Sequence, residues 1–184
     1  MQLRLTIKKE TRIQMKIFFG AAIQGAQNRE ERAEVHRLII DTIKRCGHEV
    51  LCEHTTGKDY DATAHLLEKS LGTLPPQGMA RTVLIRNKMI QFIEGDIDAA
   101  IFEVSTPSLG TGIELAHAYL RPRLGLPTIP VTALYQKDYW PNNLSTMIRG
   151  ITADAAQHFM LKVYDDPADA PEFMPEVLKD LIKK

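Results

Sequence analysis

The chain has 184 residues, 44% of them hydrophobic, which suits one compact domain with a sizeable core and leaves no room for a second. Its 23 lysines and arginines balance 23 aspartates and glutamates, so no net field draws it to nucleic acid or to a membrane, and a small-molecule ligand fits better. Two cysteines make no disulfide framework. No apolar run approaches the roughly 20 residues of a bilayer span, and the amino terminus lacks a secretory pattern, so a reducing cytoplasm is the expected compartment.

Residues 1–14 are charged and read as an accessory extension, with the domain proper expected over 15–184. MKIFFGAAIQG opens that domain: an apolar strand near Lys16–Phe19, broken at Gly20. From Asn28 to Gly47, Val35, Ile39, Ile40 and Ile43 recur at helical spacing, with acids early and Lys44 and Arg45 late, as the helix dipole favours. HEVLCEH (48–54) reads as a second strand. Residues 55–80 form an excursion expected to border the site, and a helix is expected over Arg81–Glu94. DAAIFEV (98–104) has the continuous apolar character of a strand buried on both faces. A helix from Ile113 to Leu120, a strand in LPTIPVTAL, another in HFMLKVY and a terminal helix from Pro171 to Lys183 complete the pattern. Strands alternating with helices predict an α/β three-layer sandwich around a five-stranded, mostly parallel sheet of flavodoxin or Rossmann type.

Ligands of such sheets sit beyond the carboxyl ends of the strands, which directs attention to three loops: GAAIQGAQN, STPSLGTGIE and NNLSTMIRG. In the first, Gly20, Ala21, Ala22, Ile23, Gln24 and Gly25 are mostly small and allow close backbone approach, as would a simple tight turn. In the second, Ser108, Gly110 and Gly112 read as a strand-to-helix turn offering N–H donors to an anion, with Glu114 in or beside the first helical turn. Spacing alone gives Glu114 two roles: a carboxylate kept ionised by the dipole for nucleophilic work, or an acid that merely complements that dipole.

PSLGTGIELA, followed some thirty residues on by LSTMIRG and preceded by FFGAAIQG, resembles the 2′-deoxynucleoside 5′-phosphate N-hydrolases of the nucleoside 2-deoxyribosyltransferase superfamily. The likeness runs from about Met15 to Asp165. It implies a hydrolase that releases the base from a deoxynucleoside monophosphate, with Glu114 as the nucleophile in a retaining displacement at C1′. It further implies that Ser108, and Ser145 reaching in from a partner subunit, contact the 5′-phosphate, with Met147 beside Ser145. The loop from Ala21 to Gly25 would wrap the sugar phosphate, and His54 would lie at the substrate pocket. The implied assembly is a homodimer whose interface includes Tyr139 to Arg149. No cofactor and no metal are implied, and neither nucleic acid nor membrane is an expected partner.

Several positions depart from the family pattern. Phe18 stands where relatives carry a tyrosine that orients the nucleophile, and Ala22 and Gln24 stand where they place serine and arginine on the phosphate. Relatives carry an aspartate that handles the base on the helix before the third strand. The local match here gives Arg86-Asn87 in place of an Arg-Asp pair, whereas plain counting gives Met89 or Ile90. Asn87 can hydrogen-bond a base but cannot act as a general acid. Two alternatives therefore stay open: a transferase moving deoxyribose between bases, and a nucleotide-binding module without turnover.

His48, Cys52 and His54 share parity on the expected second strand, but zinc ligands usually come from closer pairs, so no site is assigned. His117 reads as partly buried packing. Tyr135, Tyr139 and Trp140 fit base stacking or, more commonly, packing and subunit contact.

Overall fold

The computed structural model describes residues 14–23, 28–139 and 143–183. The expected extension, Gln24, Gly25 and Trp140 therefore lie outside the described residues, save for Gln14 at the end of that extension. Five strands, β1 (Lys16–Ala21), β2 (Glu49–Leu51), β3 (Ala99–Glu103), β4 (Val131–Gln136) and β5 (Phe159–Tyr164), form one sheet in the order β2-β1-β3-β4-β5. Every pairing is parallel. This is the flavodoxin-like order, and the topology reverses between β1 and β3, where an open α/β sheet leaves its ligand crevice.

Helices cover both faces. On one side α1 (Arg29–Arg45) and α6 (Ala170–Lys183) bury Ile39, Ile40, Ile43, Val177, Leu178 and Leu181 against Ile17, Phe19 and Ile101. On the other, α3 (Met79–Glu94) and α4 (Leu109–Tyr119) bury Met89, Ile93, Leu115 and Ala118 against Phe18, Ala100 and Phe102. Successive residues of β1 and β3 thus feed opposite cores, as the period-two pleat requires. Charge placement on α1 matches the dipole as expected, with Glu30 and Glu31 in its first turn and Lys44 and Arg45 in its last. Gly47, at φ +93°, then turns the chain toward β2.

Three boundaries differ from expectation. β2 stops at Leu51, because Cys52 adopts φ +64° and turns the chain into a 3₁₀ helix over Glu53–Thr56. β4 begins only at Val131, since Pro127 and Pro130 have no N–H for a ladder. α4 begins at Leu109 rather than Ile113, with Ser108 as its N-cap accepting from Thr111 N–H at 3.3 Å. The excursion after β2 holds α2 (Tyr60–Leu71), capped by Asp59, whose side chain accepts from Ala62 N–H at 2.8 Å. A single-turn helix α5 (Thr146–Arg149) follows Ser145. No helix among the described residues is long and apolar enough to cross a membrane.

Candidate active site

Gly20, one residue before the end of β1, pairs with Phe102 of β3 at the reversal of strand order. A Cβ built on Gly20 would lie 2.6 Å from the Phe102 ring and 3.1 Å from Glu114 Oε2. Glycine is needed here because the ring and the carboxylate occupy the space that any side chain would take. This contact places Glu114 of α4 directly over the sheet's switch point.

Glu114 lines a cavity of about 670 Å³, roofed by α2 and α3. Ile23, His54 and Gly110 share its wall, and Tyr60, Thr63 and Leu67 bring the excursion to the same cavity. Glu114 is the only carboxylate on that wall among the described residues. Burial pushes its carboxyl up to about 7. This overturns the expected sign. Because α4 starts at Leu109, Glu114 falls in the second helical turn, where the dipole is weak, and desolvation decides the balance. Near neutral pH Glu114 is therefore a mixture of its neutral and ionised forms.

Cys52 and His54 are both buried, and the left-handed backbone at Cys52 is what turns His54 from the line of β2 to the cavity wall. Burial, assisted by the Glu114 charge, pushes the Cys52 thiol up to about 12, so it is no nucleophile at neutral pH. Burial likewise lowers His54 to about 4, against a raising contact from the Cys52 backbone, so its imidazole is neutral. The shared parity of His48, Cys52 and His54 is lost with the strand. Among the described residues no group of three His, Cys, Asp or Glu side chains gathers into a metal site. His48 instead accepts from Met15 N–H at 3.2 Å.

Ser108, Gly112, Ser145 and Met147 line a neighbouring cavity of about 570 Å³. The amides of Leu109 and Gly110 precede the first bond of the α4 ladder, from Gly112 N–H to Ser108 O, leaving donors at this end of the helix. Ile113 borders both cavities. Ala21 and Ala22 are buried but line neither cavity, and Ala21 packs in the α1–α6 core on the other face of the sheet. Phe18 is also fully buried, its ring centroid 5.8 Å from that of Phe102.

Asn87 does not join Glu114. It is exposed on another side of α3, lines a separate depression, and accepts from Arg86 Nη1 at 3.1 Å. The α3 residues on the Glu114 cavity include Arg81, Arg86, Met89 and Ile90, so both positions from plain counting and the arginine of the local match face it, while Asn87 does not. Sequence reasoning named Arg86 only through that local match and passed over Arg81, although Arg81, Ile85, Arg86, Met89 and Ile90 follow helical spacing and share one face. It also passed over Arg29, whose Nη2 donates to Thr63 Oγ1 at 2.6 Å and Asp59 O at 2.9 Å, fastening the excursion to α1. His117 is half-buried beside Glu94, its Nδ1 2.9 Å from Glu94 Oε1.

No protein-family model matches the chain. Three curated relatives do, each provisionally named 2′-deoxynucleoside 5′-phosphate N-hydrolase 1. The protein from Thermofilum pendens is 31% identical over 89% of this chain and 95% of its own length. That from Nematostella vectensis is 30% identical over 89% and 94%. That from Methanococcoides burtonii is 26% identical over 75% and 92%. With a parallel sheet of the expected order, a glutamate at its switch point and this likeness along nearly the whole chain, the protein belongs to the 2′-deoxynucleoside 5′-phosphate N-hydrolase 1 family.

Proposed function

We propose that the protein hydrolyses the N-glycosidic bond of 2′-deoxynucleoside 5′-monophosphates, giving free base and deoxyribose 5-phosphate. The observation that carries this reading is Glu114, desolvated against Gly20 and opening into a cavity that can hold a nucleoside. In its ionised form Glu114 attacks C1′ as the base departs, giving a glycosyl ester that water then cleaves. A 2-deoxy sugar suits this route, because without the 2′-hydroxyl positive charge builds more readily at C1′. Ser108 and the first amides of α4 receive the phosphate. No second carboxylate faces Glu114 among the described residues, so the leaving base draws on donors such as Arg81 and Arg86.

The reading includes a homodimer in which Ser145 completes the partner's site. Leu109, Ile113 and Met147 support it: they are 91%, 54% and 81% exposed at the Ser108 cavity, an unusual concentration of apolar surface. Scattering in solution should give twice the chain mass.

A binding module without turnover is the second reading, favoured by Met89 and Ile90 standing where an acid would assist the base. Chromatography after incubation with deoxynucleoside monophosphates separates the two. Free base released by the protein and not by Glu114→Gln supports the hydrolase. Tight binding without base supports the module, and release from unphosphorylated nucleosides alone, with transfer to an added base, supports a transferase.

A further inference from the structure

Glu103 is a fully buried carboxylate that the proposed chemistry does not use. It ends β3 and faces the α1–α6 core, the opposite side of the sheet from Glu114. Its Oε1 accepts from Ser105 N–H at 3.2 Å, from the Ser105 hydroxyl, and from Tyr164 OH at 3.0 Å. Its Oε2 pairs with Arg32 Nη2 at 2.8 Å and lies 3.6 Å from His36 Nε2.

Three of these partners hold other loops. Ser105 begins the turn that ends at Ser108, and its Oγ accepts from Gln136 N–H at 2.7 Å. Arg32 Nη1 donates to Gln136 Oε1 at 2.8 Å, and its guanidinium carbon lies 4.5 Å from the centre of the Tyr139 ring. Gln136 and Tyr139 begin the stretch that leads to Ser145. His36 Nδ1 donates to Thr55 O at 3.0 Å, beside His54 on the cavity wall. One carboxylate thus ties down the roots of the loops carrying His54, Ser108 and Ser145.

We infer that Glu103 is a positioning residue that, through Arg32, His36 and Ser105, holds these three loops in register for ligand binding across the sheet. The geometry has this effect because His36 also holds Thr55, Arg32 also holds Gln136 at the end of β4 and stacks on Tyr139, and Ser105 is itself the root of the Ser108 turn, so loss of the carboxylate loosens all three loops together. The inference rests on the proposed function only for its kinetic consequence.

Amide hydrogen exchange on Glu103→Gln tests it without reference to activity. Protection should fall together at 53–56, 105–112, 137–139 and 143–149, while β1, β3 and β4 keep theirs. Exchange that rises uniformly, or at one loop alone, would overturn the inference. Since Glu103→Gln strains a buried site, Tyr139→Leu gives a milder variant, which should loosen 137–139 and 143–149 and be restored by Tyr139→Phe, whose ring still stacks on Arg32. Where the native protein turns over, KM for a deoxynucleoside monophosphate should rise about tenfold in Glu103→Gln with a smaller loss in kcat. Where it only binds, Kd should rise by the same factor. An unchanged KM or Kd below the melting range would leave Glu103 a purely structural residue and sink the positioning role.

Discussion

Two buried glutamates lie on opposite faces of one sheet, and their surroundings send them in opposite directions. Burial would push both carboxyls up. At Glu103 the His36 ring, the Arg32 guanidinium and the Ser105 hydroxyl outweigh burial and hold the carboxyl down at about 2. At Glu114 nothing opposes burial, and the carboxyl rises to about 7. Depth in the protein therefore does not distinguish a structural acid from a reactive one; the supply of compensating donors does. Glu103 is committed to its partners, while Glu114 is left with unmet demand for positive charge, which an oxocarbenium-like centre at C1′ would supply.

The largest expected effect follows from that unmet demand. Glu114→Gln should lower base release by about a thousandfold or more while the fold is retained, because no other carboxylate faces the cavity among the described residues. In the native protein kcat/KM should rise with pH and level off above about 7, since only ionised Glu114 attacks. A rate that is flat from pH 5 to 8 would show that Glu114 is not the titrating nucleophile.

Acid titration of stability separates the two glutamates next. Glu103 has a folded pKa below its ordinary value of 4.5, so its contribution is complete above that value and is lost as pH falls toward about 2. Glu114 has the opposite sign: its contribution is complete below 4.5 and is lost as pH rises through about 7. Glu103→Gln should cost about 3 kcal/mol at neutral pH, because it leaves Arg32 buried without its counter-charge. Denaturant titrations from pH 2.5 to 8 would show the loss shrinking in acid. An equal loss at every pH would mean that the ion pair carries none of it.

Gly20→Ala probes the contact that holds Glu114 in place. The new Cβ would meet the Phe102 ring at 2.6 Å, so ring and carboxylate must shift, at about 1–3 kcal/mol of stability. Base release should fall by more than stability does. Retained activity with an unchanged melting temperature would show that the Phe102 ring moves aside at no cost to Glu114.

The sequence made the parallel architecture legible because each crossover left its own period: apolar runs for strands buried on both faces, and i, i+4 stripes for α1 and α3. The motif likeness singled out Glu114, Ser108 and His54, and the structure brings Glu114 and His54 to one cavity. Other features rest on contacts that spacing cannot reveal. Glu103 sits in what reads as a plain apolar strand, and its burial makes sense only once Tyr164, 61 residues away, is seen to donate to it. The left-handed Cys52 ends β2 inside a run of good strand formers, a local exception that no periodicity announces. Gly110 and Gly112 read as loop because glycine is a poor helix former, yet the Ser108 cap and the packing of Leu115 and Ala118 carry the helix through them.

The smallest expected effect asks whether burial alone sets Glu114 apart from Glu103, or whether the α4 dipole still reaches it. Ser108→Ala removes the N-cap bond to Thr111 N–H, which is worth about 1 kcal/mol. It also removes a hydroxyl proposed to meet the phosphate, so KM for a deoxynucleoside monophosphate should rise a few-fold while that for the matching nucleoside stays put. Ser108→Asp restores the cap but sets a negative charge against the phosphate, and should recover stability without recovering KM. Glu114 lies in the second turn, beyond the reach of a frayed first turn, so the midpoint of the pH–rate profile should remain at about 7 in both variants. A midpoint that rises in Ser108→Ala and returns in Ser108→Asp would show that the helix terminus steadies the ionised form. The contrast between the two glutamates would then owe something to the dipole as well as to their donors.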